Sequence, residues 1–191
     1  MPPRRYETSG LIIAVPMPSA KEQVCALALR ELKQYWHEDF ILGLGTGSTM
    51  AIFFQLLVNE AHRLPRGFLL VPTSLQAEQM IADSCLSDRL RSLSQVDRVN
   101  LTIDGVDWVI GRRTLIKGGG GAMLSEKIVG EASKNVWYLG TEDKFRPPQR
   151  ITIPIEVPRW ALRTAQRQIE ALDQGEDFQL SVRQGGVGRM G

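Results

Sequence analysis

Lys117 leads into Gly118-Gly119-Gly120-Gly121, and Glu126 follows nine residues after the lysine. Four consecutive glycines lose much entropy on ordering, so a folded chain keeps them where backbone must approach a small ligand or take a positive φ. The lysine supplies positive charge on one side, and the glutamate a carboxylate on the other. That set suits a small anionic substrate from which a proton must be moved. A carboxylate base must be ionised to take a carbon-bound proton. Glu126 falls about one turn into a helix that follows the glycines, where the helix dipole favours the ionised form. Taken singly, Glu126 and Lys127 would be a solvated pair on a helix face.

Three other polar loops carry candidate chemistry. Gly43-Leu44-Gly45-Thr46-Gly47-Ser48-Thr49 is not a Walker loop, because no lysine precedes its closing hydroxyl residue. It fails the dinucleotide pattern because Ser48 holds the third glycine position. A glycine turn with hydroxyls running into a helix N-terminus remains, and free N–H groups there favour a phosphate. Pro72-Thr73-Ser74 reads as a helix cap. Asp104-Gly105-Val106-Asp107 sets two carboxylates around a glycine, able to bond sugar hydroxyls or to share a proton. By itself that pattern is a turn.

Alternating elements must position these loops. Ser19 caps a predicted helix from Ala20 to about Trp36. Phe40-Ile41-Leu42 reads as a buried strand, and Ser48 or Thr49 opens the next helix. Phe68–Val71 is a strand, Ser74–Asp83 a helix, and Val99–Ile103 a strand. Thr114-Leu115-Ile116 precedes the glycines, Ala122–Lys134 is helical, and Val136–Leu139 is a strand. The alternation implies an α/β fold, a Rossmann-like doubly wound parallel sheet with helices on its faces. In such sheets ligands bind at the carboxyl ends of the strands, where all four loops are expected to lie.

The composition shifts near Phe145-Arg146-Pro147-Pro148. Residues 1–18, with four prolines, read as an irregular arm, residues 19–145 as the main domain, and residues 146–191 as the start of a small α+β domain. In that last part Ile151–Val157 is a predicted strand, Pro158–Leu172 a helix and Phe178–Val182 a second strand. The glycine-rich end from Gly185 is an odd place for a fold to stop.

The 191 residues carry a net charge of only +2, which gives no nucleic-acid footprint. No apolar run approaches the roughly 18 residues of a membrane span, and Leu11–Val15 is too short for a signal-peptide core. Cys25 and Cys85 are isolated, which makes a reduced, cytoplasmic setting the expectation. His37 and His62 read as surface or helix-end residues and not as metal ligands. Carboxylate and lysine chemistry is expected, without a zinc.

The four loops in this order, joined by Ile153-Pro154-Ile155-Glu156-Val157-Pro158, resemble ribose-5-phosphate isomerase of the A type. The resemblance runs from about Ala20 to the end. It implies interconversion of ribose 5-phosphate and ribulose 5-phosphate through an enediolate, without metal or organic cofactor, in the non-oxidative pentose phosphate pathway. It also implies that Glu126 shuttles the proton between C1 and C2, while Asp104, Asp107 and Lys117 line the sugar and assist proton movement between its oxygens. Thr46, Gly47, Ser48 and Thr49 match the substrate-binding turn. Gly105, Val106, Gly118, Gly119 and Gly120 match the cavity lining, and Lys144 and Lys21 match substrate-contacting lysines. A small sugar phosphate is the implied partner, with no nucleic acid and no membrane, and a homodimer or homotetramer is the implied assembly.

The chain departs from the family pattern at Trp108, where an acidic residue usually follows the second aspartate. Relatives of the type also continue past a glycine loop like Gly185-Gly186, so the small domain is expected to be incomplete. A sugar-phosphate-binding pseudoenzyme is the alternative reading. A deaminase-like or coenzyme-A-transferase-like protein is disfavoured by the Lys117-to-Glu126 spacing.

Overall fold

The computed structural model describes residues 17–172 and 179–183. Helix α1 (Ala20–Leu32) begins at a capping box in which Ser19 and Glu22 bond each other's backbone N–H, satisfying donors that a helix start leaves free. Strand β1 (Ile41–Leu44), helix α2 (Ser48–Asn59), strand β2 (Leu69–Pro72), helix α3 (Leu75–Ala82) and strand β3 (Val99–Gly105) follow. Next come β4 (Trp108–Ile110), β5 (Thr114–Ile116), α4 (Met123–Glu131), β6 (Ser133–Leu139) and α5 (Leu162–Glu170).

Four strands form one sheet in the order β2-β1-β3-β6, and every pairing in it is parallel. From β1 the chain moves outward to β2, then returns to the other side of β1 to lay down β3. The reversal leaves a crevice between the carboxyl ends of β1 and β3, where doubly wound sheets take ligands. The expected mixed α/β architecture with a parallel central sheet is therefore present.

Alternation along the strands sorts the two faces. Leu42, Leu44, Leu70, Leu101 and Ile103 enter the larger core with Cys25, Leu29, Leu32, Met50, Phe53 and Leu57 from α1 and α2. Val71, Val99 and Val129 of α4 form a smaller cluster, with Ile41, Leu93 and Val96 against it. The same alternation turns Thr102 and Asp104 away from Leu101 and Ile103, toward α4. Asp104 consequently reaches the helix that carries Glu126.

Several expected boundaries shift. Lys33–Tyr35 forms a 3-10 turn, so α1 stops at Leu32. Helix α4 ends at Glu131 and not at Lys134, because Ser133 already pairs with Val99 in the sheet. The Ser133 hydroxyl bonds Thr102 Oγ1 at 2.7 Å and donates to Val129 O at 2.6 Å, joining strand to helix. Strand β5 is not part of the parallel sheet. It pairs antiparallel with β4 in a hairpin turned at Gly111, so the glycine run follows a hairpin and not a sheet strand.

No strand forms over Ile151–Val157. Pro154 has no N–H to offer a ladder, and the segment is fixed by side chains, with the Leu124 N–H donating to Glu156 Oε2 at 2.7 Å. Residues 179–182 carry no strand either, and Phe178 lies outside the described residues, as do residues 1–16 of the arm and the glycine-rich end. The helix expected from Pro158 opens as a 3-10 turn, Arg159–Ala161, before α5. Among the described residues, no helix is long and apolar enough to cross a membrane.

Candidate active site

Three charged side chains from three elements meet at the carboxyl end of β3. Lys117 Nζ lies 2.9 Å from Asp104 Oδ2 and 3.3 Å from Glu126 Oε2. It also donates to the Gly105 carbonyl at 2.6 Å. The ammonium thus sits among two carboxylates and a carbonyl. The cluster is withdrawn from water, with side-chain exposures of 18% for Lys117, 3% for Asp104 and 7% for Glu126. Glu126 Oε2 accepts no well-formed hydrogen bond from the described residues. The Lys117 ammonium is its ion-pair partner.

Burial pushes the Glu126 carboxyl above its ordinary 4.5, and the neighbouring Asp104 carboxylate pushes the same way against the pull of Lys117. The expectation that the α4 dipole would favour the ionised form is overridden here, because desolvation is the larger effect. For Lys117, burial draws the ammonium down, but Asp104 and Glu126 outweigh it and leave it above its ordinary 10.5.

The other loops converge on the same end of the sheet. Asp104 Oδ1 accepts from the Gly105 N–H at 2.7 Å and from the Thr46 N–H at 3.2 Å. This joins the β1 loop to β3 across the crevice. Only glycine allows it at position 45, where a Cβ would stand 2.2 Å from Asp104 Oδ1 and 2.6 Å from its Cα. Gly47 precedes α2 without a side-chain cap, so Ser48 and Thr49 open a helix whose first N–H groups are available to an anion. Lys21 Nζ donates to Ser48 Oγ at 2.8 Å, and Cys25 Sγ reaches Thr49 O at 3.2 Å, so α1 brings a cation to that terminus. Burial pushes the Cys25 thiol up to about 11, which keeps it protonated and unreactive.

Asp107 Oδ2 accepts from the Gly119 N–H at 2.8 Å, which pins the glycine run to the β3 loop. Gly118 and Gly121 have φ of 98° and 75°, values that side-chain-bearing residues rarely adopt. Gly120 is exposed, and Val106 is buried beneath the loop. Lys144 does not join the charged cluster. Its Nζ lies 5.1 Å from the centre of the Trp108 ring. A cavity of about 460 Å³ opens on Asp104, Lys117 and Glu126 and is walled in part by Met123, Tyr138 and Pro154.

Sequence reasoning named Thr73 only within the Pro72-Thr73-Ser74 cap, and it did not single out Tyr138 or Arg183. The Thr73 hydroxyl is buried and lies 3.3 Å from Thr46 Oγ1, while neighbouring Ser74 is the expected cap, accepting from Ala77 N. Tyr138 pairs with Asp104 in the β3–β6 register and places its ring 5.4 Å from Lys117 Nζ. Only knowledge of that register could have found it. Arg183 donates to the Gly119 carbonyl at 2.9 Å across 64 residues of chain. His37 and His62 are exposed, and among the described residues no group of three or more His, Cys, Asp or Glu could hold a metal ion.

The chain has counterparts among known proteins. The sequence profile of ribose 5-phosphate isomerase A (phosphoriboisomerase A) matches residues 69–190. Ribose-5-phosphate isomerase A of Rhodopseudomonas palustris (strain BisB5) is 40% identical over 171 residues, covering 88% of this chain and 71% of the relative. A solved D-ribose-5-phosphate isomerase in complex with phospho-erythronic acid superposes with a TM-score of 0.67 at 31% identity, covering 80% of this chain. This chain spans 65% of that protein's length. Ribose 5-phosphate isomerase from Plasmodium falciparum superposes with a TM-score of 0.72 at 25% identity, over 87% of this chain and 73% of its own. The chain belongs to the ribose-5-phosphate isomerase A family.

Proposed function

We propose that this chain is an aldose-ketose isomerase that interconverts ribose 5-phosphate and ribulose 5-phosphate with Glu126 as the base, without metal or organic cofactor. The observation that carries the proposal is the buried Asp104–Lys117–Glu126 cluster beside the switch-point crevice. Glu126 takes the proton from C2 of the open-chain aldose. The C–H electron pair moves into the C1–C2 bond, and the carbonyl oxygen at C1 becomes an enediolate oxygen. Lys117 stabilises that charge where little water competes. Asp104 and Asp107 line the sugar and assist the proton's passage between the two oxygens. Glu126 returns its proton to C1, and atoms and charge balance.

The substrate phosphate occupies the α2 N-terminus, held by the loop Thr46-Gly47-Ser48-Thr49 and by Lys21, while Gly105, Val106 and Gly118–Gly120 line the sugar. Restraining the phosphate holds the reacting carbons against the base. The relative bound to phospho-erythronic acid, a sugar-derived phosphate, supports this substrate class. A homodimer or homotetramer, a cytoplasmic setting and a role in the pentose phosphate pathway complete the reading. Assay of the purified chain on ribose 5-phosphate, with and without EDTA, tests it. Metal-independent turnover is expected, and binding of the sugar phosphate without turnover would leave the pseudoenzyme as the better description.

A further inference from the structure

Trp108 directly follows Asp107 and opens β4. Its indole carries the Lys144 ammonium at 5.1 Å from the ring centre. Lys144 belongs to a 3-10 turn, Glu142–Phe145, just after β6. Strand β6 ends beside β3, with Leu139 paired to Gly105. A Cβ on Gly140 would stand 2.9 Å from Val106 Cγ1 and 3.6 Å from Lys144 Cβ. The lysine stem therefore starts against the loop that joins Asp104 to Asp107, at the ligand-binding end of the sheet.

The lysine's electrostatic surroundings are unusual for a half-buried cation. Among the described residues its ion-pair partner is Asp143 at 3.6 Å, a side chain 67% exposed and so well screened by water. No buried acceptor among the described residues claims its protons. An aromatic face attracts a cation without offering it an acceptor. A carboxylate in the same place would neutralise the ammonium and occupy its donors. The indole instead fixes the direction of a long, flexible stem, which would otherwise lose rotamer freedom on binding, and leaves the charge available to an anion.

We propose that Trp108 is a positioning residue that holds Lys144 ready for the sugar phosphate beside the loop that joins Asp104 to Asp107. The inference rests on the isomerase reading for its ligand. It gives the one position where the chain departs from the expected acidic residue a role in substrate affinity. Because the ring acts through the lysine and not on the reacting carbons, its removal should weaken binding and spare the chemical step.

The test uses the full chain with Trp108→Leu, Trp108→Phe, Lys144→Met and the Trp108→Leu/Lys144→Met double variant. KM and kcat are measured on ribose 5-phosphate, and Kd for the same sugar phosphate by calorimetry. Trp108→Leu should raise KM and Kd about three- to tenfold, the size a cation–π contact can supply, with kcat within about twofold. Trp108→Phe should restore most of the affinity, and the double variant should bind no worse than Lys144→Met alone. Unchanged affinity in Trp108→Leu, or losses that add fully in the double variant, would overturn the role of Trp108. Wild-type binding without turnover would overturn the isomerase reading alone, because the Kd comparison still decides the part played by Trp108. Circular dichroism melts verify that each variant folds, and Trp108→Phe keeps the test usable if the leucine variant does not.

Discussion

The ion pair between Lys117 and Glu126 is the looser of the two that the lysine makes, at 3.3 Å against 2.9 Å to Asp104. The difference matters once Glu126 takes a proton. Its charge would disappear, the Coulomb attraction to Lys117 would go with it, and Asp104 and the Gly105 carbonyl would retain the ammonium. The positive charge is then freed at the moment when negative charge develops on the substrate oxygen. In the proposed mechanism, Lys117 would moderate the base before transfer and stabilise the oxygen after it.

Replacement of Glu126 by Gln keeps the shape of the side chain and removes the base. Turnover of ribose 5-phosphate should fall by about 10²–10⁴-fold, the usual contribution of a positioned acid-base group. KM should change little, because the phosphate contacts remain. Steady-state kinetics of the variant beside wild type provide the check.

The raised Glu126 pKa fixes the sign of the pH dependence. The ionised base is required, so kcat/KM should climb with pH to a plateau whose midpoint lies above the ordinary 4.5. A midpoint at or below that ordinary value would remove desolvation as the dominant influence on the group.

The same shift links to stability. A carboxyl whose folded pKa is raised contributes stability that is complete below its unfolded pKa and lost as pH rises through its folded pKa. Glu126→Gln should therefore melt higher than wild type at pH 8, and the gap should shrink toward pH 4. Thermal melts across that range measure it.

Lys117→Met should harm both fold and chemistry. It strands two buried carboxylates, and breaking a buried pair by removing one partner costs about 3–5 kcal/mol. Urea titration should show that loss near neutral pH, with partial recovery in acid as Glu126 protonates.

Gly45→Ala places a methyl 2.2 Å from Asp104 Oδ1 and 2.6 Å from backbone Cα. Turning the Asp104 carboxylate would relieve the first contact but not the second, which is backbone. Destabilisation of about 1–3 kcal/mol, typical of overpacking, is expected together with loss of activity. A variant with wild-type melting and turnover would show that the β1 loop does not need its close approach to Asp104.

Much of this was legible in the residues themselves. The parallel sheet follows from short apolar runs alternating with capped helices, and its strands are buried enough to read plainly. Lys117, Asp104 and Glu126 were legible because their loops fall at strand ends or follow a glycine run, and the structure brings all three together. Strand β4 was not legible, because Trp108-Val109-Ile110 is too short to show a period and depends on β5 for its pairing. The tail was misread for the opposite reason. Ile151–Val157 looks like a strand, yet a strand needs a neighbour, and here Glu156 and Pro154 dock on α4 and Gly118 instead. The direction of the Glu126 shift was also hidden, because a helix position is visible in sequence and the depth of burial is not.

The most direct test is turnover of ribose 5-phosphate in D₂O, followed by NMR at C1 of the ribulose 5-phosphate formed, for wild type and Glu126→Gln in the presence of EDTA. Wild type should form product that carries solvent deuterium at C1, since a proton held by Glu126 can exchange before it returns, and the variant should form almost none. Equal turnover by the variant would contradict Glu126 as the base.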